Sequence, residues 1–381
     1  MSGQALSKFK LPKGFWAGGI SAGLKKSGRK DLGLIFCPSG AKTAAFFTAS
    51  TAQAAPLIVS KRHLNKNKGV TKAIIVNSGN ANCFTGLRGI KDAETICTTL
   101  AKKLGVKTEE ILIASTGIIG RRLPKDKIRT KLPLLINSLN KQGRGFPEAI
   151  LTTDKVIKLS RRSLRVGKEI INIVGVAKGS GMIYPHLHYL HATMLGFIFT
   201  DCLIDKKALT FAAQKAVEDS FNSISVDGCM STNDTVFFLA SGKSVKIVRN
   251  QEYFKEFSRL LSEVCLDLAK AIVKDGEGAT KLVEIVIKGA SSRAEAKRGA
   301  FAIANSNLFK TAIYGQSPNW GRVVAALGQA GLDVRHLKAS STSLKKKEVR
   351  VRVNLGRGKA ASRVFTSDLS PDYIKINAAY S

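Results

Sequence analysis

Acidic residues are scarce in this chain: 27 Asp and Glu face 61 Lys and Arg, leaving a formal net charge of +34. Such an excess makes nucleic-acid binding the first function to weigh. The cations are spread, however. Short runs occur at Lys345-Lys346-Lys347 and Arg121-Arg122, but there is no basic tail, no aromatic-rich basic module and no zinc-finger or RNP-type motif. That argues against a specific nucleic-acid partner, and the charge suits small anionic substrates instead. No apolar run approaches the roughly 18 residues that a membrane helix needs. The first 13 residues are polar and basic and lack the apolar core of a secretory signal. Cysteine is sparse as well. The six (37, 83, 97, 202, 229 and 265) include no CxxC pair. They read as free, buried thiols of a reducing compartment, here the cytoplasm.

What is present is a globular chain. Hydrophobic residues make up 44% of 381 positions, enough for one large or two ordinary domains. Short apolar runs at 32–36, 44–47 and 55–59 (the last broken by Pro56), then 73–76, 111–114, 170–176, 194–199, 236–240 and 282–287, predict strands, and 194–199 also fits a buried helix segment by pattern alone. Residues 149–154 read as a strand end, and 373–377 as a last strand. Residues 349–355 alternate Val or Leu with Arg or Asn, the pattern of a strand with one wet face. Helical spacing marks 90–104, ended by Gly105, and 127–139, 206–222, 260–272, 292–304 and 321–330. No internal repeat or flexible linker is visible. Strands and helices interleave throughout, which predicts an α/β or layered α+β fold.

Several loops carry chemistry. Lys178-Gly-Ser-Gly-Met-Ile183 is a Gly-rich turn with one Lys, and Ala192-Thr-Met follows shortly before a buried strand. A Thr at the mouth of a buried strand is either an ordinary β-branched strand residue or a rigidly placed nucleophile. A Thr hydroxyl becomes a good nucleophile when the chain is cut before it and the freed α-amine serves as base. Asn77-Ser-Gly-Asn-Ala-Asn82 follows a strand and suits left-handed backbone. Ser115-Thr-Gly117 is either a plain turn or one that aims a hydroxyl and an N–H at one developing oxyanion. Glu277, between two glycines, reads in isolation as a solvated turn acid, and is also open to a ligand near the backbone. His186 and His188 could share one side of an extended segment, but no Asp, Glu or Cys lies among them. A partly exposed loop is therefore expected there rather than a metal site.

Together these loops resemble the ornithine acetyltransferase family, the glutamate N-acetyltransferases of the cyclic arginine pathway. The similarity runs from about Gly14 to the C-terminus. It rests on the segments above and on Thr152-Thr-Asp154, Ala192-Thr-Met-Leu195, Ser231-Thr-Asn-Asp234, Asp275-Gly-Glu-Gly-Ala-Thr-Lys281, Pro318-Asn-Trp-Gly-Arg322 and Lys375-Ile-Asn377, in that order. The resemblance implies an N-terminal-nucleophile-type αββα sandwich with a smaller second domain. It implies self-cleavage between Ala192 and Thr193, into an α fragment, 1–192, and a β fragment, 193–381. Thr193 would carry the acetyl group, and Thr116 and Gly117 would form the oxyanion hole. Thr152, Lys178, Thr193, Glu277 and Asn377 would line the substrate site, with Ser381 standing where the family has a Ser or Thr. The implied reaction moves acetyl from N2-acetylornithine to glutamate without a cofactor, with acetyl-CoA as a further donor if the chain also makes acetylglutamate. The implied assembly is a heterotetramer of two α and two β fragments.

The chain departs from that pattern in places. Residues 186–191 put Lys178 and Thr193 four residues further apart than the family spacing. Ser381 is four residues past Asn377 rather than five. Cys229, Met230, Lys155, Ile157 and Ser317 also replace the usual residues. Two other readings follow: a related N-terminal-nucleophile amidohydrolase or aminopeptidase, and a degenerate, uncleaved basic binding protein.

Overall fold

The computed structural model describes residues 10–185, 194–249 and 251–379. The strands are β1 Trp16–Ile20, β2 Leu32–Phe47, β3 Val70–Asn80, β4 Ile111–Ile118, β5 Lys158–Val166, β6 Glu169–Lys178 and β7 Leu195–Thr200. They continue with β8 Ile224–Ser225, β9 Thr235–Ala240, β10 Leu282–Ala290, β11 Lys338–Ser341, β12 Glu348–Asn354 and β13 Ala360–Ser367. The chain forms two compact units. One comprises Met1–Gly179, Pro185–Phe221 and Met230–Leu268; the other comprises Ser180–Tyr184, Asn222–Cys229 and Ala269–Ser381. These units follow packing and do not coincide with the 192/193 boundary, which concerns where the backbone would be cut.

The first unit is built on one sheet, ordered β4-β3-β2-β9-β7-β6-β5, with β1 also paired to β2. Strand β2 belongs to two neighbourhoods. Its residues 32–36 pair with β1 and β3, and its residues 42–47 pair with β9. Between them Cys37-Pro-Ser-Gly40 shifts the register, and Gly40 takes φ +78°. Proline cannot donate to the ladder and the extra residues bend the strand. The sheet thereby folds over, and its halves share one core. Ile35, Ile74, Val76, Leu112 and Ala114 from one half pack with Val174, Val176, Phe197, Phe199 and Phe237 from the other.

Alternation along β3 then explains the outer layer. Ile74 and Val76 face that shared core, while Ala73 and Ile75 face outward, onto the helices Ala55–Lys66, Gly86–Leu104 and Lys125–Asn137. On the other half, Val264 and Leu268 of the helix Glu252–Lys274 press on Gly175 of β6, where a Cβ would lie within 2.7 Å of both side chains. Helix, half-sheet, half-sheet and helix give the expected αββα layering. The expected buried strand at 194–199 is β7, with all six residues buried.

The second unit holds the sheet β11-β12-β10-β13-β8. Val349, Val351 and Val353 of β12 join Val283, Ile285 and Ile287 of β10 beneath the helices Arg293–Ala304 and Trp320–Gln329. The alternating Arg350 and Arg352 are exposed, as their spacing predicts. Among the described residues no helix is long and apolar enough to cross a membrane.

Three expected strands are corrected. Residues 55–59 open the helix Ala55–Lys66, and residues 373–377 lie in the helix Pro371–Ala378, each with proline in its first turn. Proline is tolerated there because that N–H has no intrahelical partner to lose. Residues 149–154 are not a strand end: the helix Phe146–Ala149 leads into a loop. Strands β5 and β13 and the helix Asn307–Tyr314 carried no clear periodic signal.

Candidate active site

The site in the first unit begins where β3 and β4 end side by side. The strands run parallel, with Asn77 opposite Ser115 and Gly79 opposite Gly117. The Asn-rich loop spends its side chains on backbone. Asn77 Nδ2 donates to Asn80 O (2.8 Å), Asn80 Nδ2 to the carbonyls of Arg121 and Arg122 (3.1 Å each), and Asn82 Nδ2 to Gly89 O (3.0 Å). Asn82 and Phe84 take φ of +47° and +59°. Ser115 Oγ donates to Asn77 Oδ1 at 2.6 Å. Asn233, of the Ser231-Thr-Asn-Asp segment, ties both strand ends together by donating to Ala81 O (2.6 Å) and Ser115 O (2.9 Å). Gly117 has φ +133°, and a Cβ there would fall 2.4 Å from the Gly79 carbonyl carbon.

Lys178, the last residue of β6, reaches this turn from the other half of the folded sheet. Its Nζ donates to Thr152 Oγ1 at 2.7 Å and to Thr116 Oγ1 at 3.4 Å, and lies 3.7 Å from Asp154 Oδ2. The structure thus brings Thr116, Gly117, Thr152 and Lys178 into one cluster. Asp154 is its buried anchor. Its carboxylate accepts from Lys158 Nζ (2.7 Å), Gly179 N–H (2.7 Å) and Thr152 N–H (3.0 Å). Burial pushes the Asp154 carboxyl up, but the Lys178 and Lys158 ammoniums and the Thr152 N–H outweigh it and hold it well below the usual carboxylate range.

A carboxylate with a depressed folded pKa contributes stability that is fully present above its unfolded value. That stability is lost as pH falls through the folded value. Asp154→Asn leaves two ammonium groups in this pocket without their counter-charge. It is expected to cost about 3–5 kcal/mol, the usual range for breaking a buried pair. Thermal melts should show that the difference from the parent chain is full at pH 7 and shrinks on strong acidification. A difference independent of pH would contradict this account.

Met194 leads into β7. Leu195 of β7 pairs with Lys178, and Met194 O accepts the Thr235 N–H at 2.5 Å. Thr193 is the residue before it in the chain. Ala192 and Thr193, the 186–191 segment with His186 and His188, and Ser381 lie outside the described residues.

The second unit pairs its own two expected residues. Asn377 Nδ2 donates to Glu277 Oε2 at 3.1 Å, and Glu277 N–H donates to Ser180 O at 2.9 Å. A Cβ on Gly181 would sit 2.4 Å from the Glu277 carboxyl carbon, so this glycine lets the 180–183 turn close on that side chain.

Sequence reasoning missed Lys25 and Lys158. Lys25 lies along Gly79, where a Cβ would be 3.1 Å from its Cγ, and its Nζ donates to Lys30 O at 2.8 Å. Burial, opposed by Asp31 and aided by Lys178, pushes its ammonium down to about 8. In so basic a chain neither lysine stood out. Asp154 lay in a quoted motif, but its partner Lys158 had no signal.

A model of the ArgJ family matches residues 16–340 and 334–381. The arginine biosynthesis bifunctional protein ArgJ of Geobacter sulfurreducens is 43% identical, over 97% of this chain and 99% of that protein. Its namesake from Oceanobacillus iheyensis is 38% identical, over 97% and 95%. Among solved structures, an ornithine acetyltransferase of Mycobacterium tuberculosis complexed with ornithine shares 32% identity, covering 47% of this chain and 96% of that one, with a TM-score of 0.42. A family match over nearly every residue and relatives alike from end to end lead to one conclusion: the chain belongs to the ArgJ family.

Proposed function

We propose that this chain is an autoprocessing acyltransferase of arginine biosynthesis that carries acetyl from N2-acetylornithine to glutamate on Thr193. The observation that carries this reading is the Lys178–Thr152–Thr116 cluster beside Gly117, set one strand pairing from Met194. Cleavage between Ala192 and Thr193 frees an α-amine with a pKa of about 7.7–8.0, close to what a general base needs at neutral pH. That amine takes the Thr193 hydroxyl proton as Oγ attacks the acetyl carbonyl. The Thr116 hydroxyl and the Gly117 N–H receive the oxyanion. The amide C–N bond breaks, the proton passes to the departing α-nitrogen of ornithine, and an acetyl ester remains on Thr193. The neutral α-amine of glutamate then attacks that ester, and Thr193 regains its proton.

Lys178 and Thr152 suit a substrate carboxylate. Glu277 and Asn377 suit the side-chain ammonium of ornithine, and Ser381 completes the set that the family pattern implies. The relatives' names say that they are bifunctional; the second activity is read here as transfer from acetyl-CoA, and the reaction as drawn uses no bound cofactor. The processed enzyme is read as two α and two β fragments, in the cytoplasm. The six cysteines are all free thiols, which suits a reducing compartment; five are buried as expected, and Cys229, in the loop after Asp227, is exposed.

The test is direct. Purified protein is run on a denaturing gel, its fragments are weighed by intact-mass spectrometry, and acetyl transfer is followed with both substrates varied. Two fragments parting before Thr193 and parallel double-reciprocal lines, the mark of a ping-pong scheme, are expected. Acetyl transfer by an uncut chain, or intersecting lines, would overturn the proposal.

A further inference from the structure

The second unit buries a lysine that the chemistry above does not use. Lys310, on the helix Asn307–Tyr314, is 2% exposed. Its Nζ donates to Ser367 O (2.6 Å) and Val226 O (2.8 Å), with Thr366 Oγ1 and Ser367 Oγ each at 3.2 Å. Burial pushes this ammonium down to about 8, while Asp227 and Asp368 pull it back up; four oxygens within 3.2 Å, all able to accept, suit its charged form. A buried charge is retained only where partners compensate it.

Those two carboxylates each follow a segment that Lys310 grips, and each holds one side of the Glu277 cradle. Asp227 comes directly after Val226. It accepts the N–H groups of Met182 (2.6 Å) and Ile183 (2.9 Å), fixing the turn in which Met182 takes φ +57° and Gly181 closes on the Glu277 carboxylate. A non-glycine residue at positive φ persists only where its surroundings enforce it. Asp368 comes directly after Ser367. It accepts the N–H groups of Thr280 (2.8 Å) and Lys281 (2.9 Å), at the far end of the loop that carries Glu277. Ser370, two residues on, donates to Gly278 O at 2.6 Å.

We infer that Lys310 is a positioning residue for Glu277: one buried ammonium clamps, through Val226-Asp227 and Ser367-Asp368, the two segments that fix where that carboxylate points. The consequence for function rests on the proposed acetyl transfer, since Glu277 there receives the ornithine ammonium. Without the clamp the cradle loosens, and substrate capture suffers more than the chemistry at Thr193.

The test uses the full chain and two readouts. The first, amide hydrogen exchange, needs no activity. Lys310→Met should remove protection at Met182, Ile183, Thr280 and Lys281 by about tenfold or more, as local opening does, while β10 and β12 keep theirs. Asp227→Asn should expose Met182, Ile183 and Cys229, whose N–H it also accepts at 3.0 Å, and leave Thr280 and Lys281 protected; Asp368→Asn should do the reverse. This arm-by-arm pattern carries the test if Lys310→Met does not fold. The second readout is steady-state kinetics. KM for N2-acetylornithine should rise about tenfold or more in Lys310→Met while kcat falls less, the signature of lost ground-state binding. Unchanged protection at the four amides, or lost protection with an unchanged KM, would overturn the clamp. A parent chain without acetyl transfer would overturn the proposed function alone, because the exchange pattern is read independently.

Discussion

Thr193→Ala is expected to give a single unbroken polypeptide of 381 residues that transfers no acetyl group. Two separate steps fail at once. An N→O shift needs a hydroxyl on residue 193 to attack the carbonyl of Ala192, and alanine has none. Even a chain cut by other means would lack the oxygen that carries acetyl between substrates. Loss of a covalent nucleophile typically costs about a million-fold in kcat, so the residual rate should be indistinguishable from background. Thr193→Ser separates the steps. It keeps the oxygen and the α-amine but loses the β-branch that restricts χ1, so cleavage and transfer should both persist at reduced rates. The checks are a denaturing gel, the intact mass and the initial rate of acetylglutamate formation. Undiminished transfer by the alanine variant would remove the nucleophile from this account.

Gly117→Ala carries the second large effect, for a reason visible in the backbone. At φ +133° an L side chain is strained wherever it sits. Here the added methyl would also meet the Gly79 carbonyl carbon at 2.4 Å and the Asn80 nitrogen at 2.5 Å. These are backbone atoms of the neighbouring strand end, held by the Asn77, Asn80 and Asn233 hydrogen bonds, so they cannot swing aside as a flexible side chain would. The turn must shift, and Thr116 and the residue 117 N–H shift with it. Removing one oxyanion donor costs about 10²–10³ in kcat, and a displaced pair should fall at the upper end. KM should change little, because Lys178 and Thr152 sit on other segments. The measurement is kcat and KM on protein whose circular dichroism matches the parent. A kcat within twofold of the parent would show that the turn does not hold the oxyanion.

The corrected elements show how far local pattern reaches. Ala55-Pro-Leu-Ile-Val and Pro-Asp-Tyr-Ile-Lys-Ile, from residue 371, are rich in β-branched and aromatic residues and short enough to pass for strands. Each is helical because proline presets the first turn, and in 55–66 the apolar side then continues to His63 at helical spacing. Propensity is a weak prior, and a buried face outweighs it. The loops were more legible than the elements. Runs of Asn and Gly, a Lys opening a Gly-rich turn and a Glu between glycines are uncommon enough to be noticed without any fold.

The sequence by itself determined which strands are buried on one face or both, where the special loops fall, and the family to which their order belongs. Spacing along a chain records which side of an element meets water, and that much is local. Only the tertiary structure decided that Lys178 meets Thr116. Strands β6 and β4 are not neighbours in the sheet, and they approach because β2 bends at Cys37-Pro-Ser-Gly40 and lays one half-sheet on the other. It likewise decided that, among 61 cations, Lys158 is the buried partner of the Asp154 carboxylate and Lys310 is enclosed by carbonyl and hydroxyl oxygens. Nothing along the chain distinguishes a lysine that faces water from one enclosed by carbonyls; that difference exists only once distant segments have closed around it.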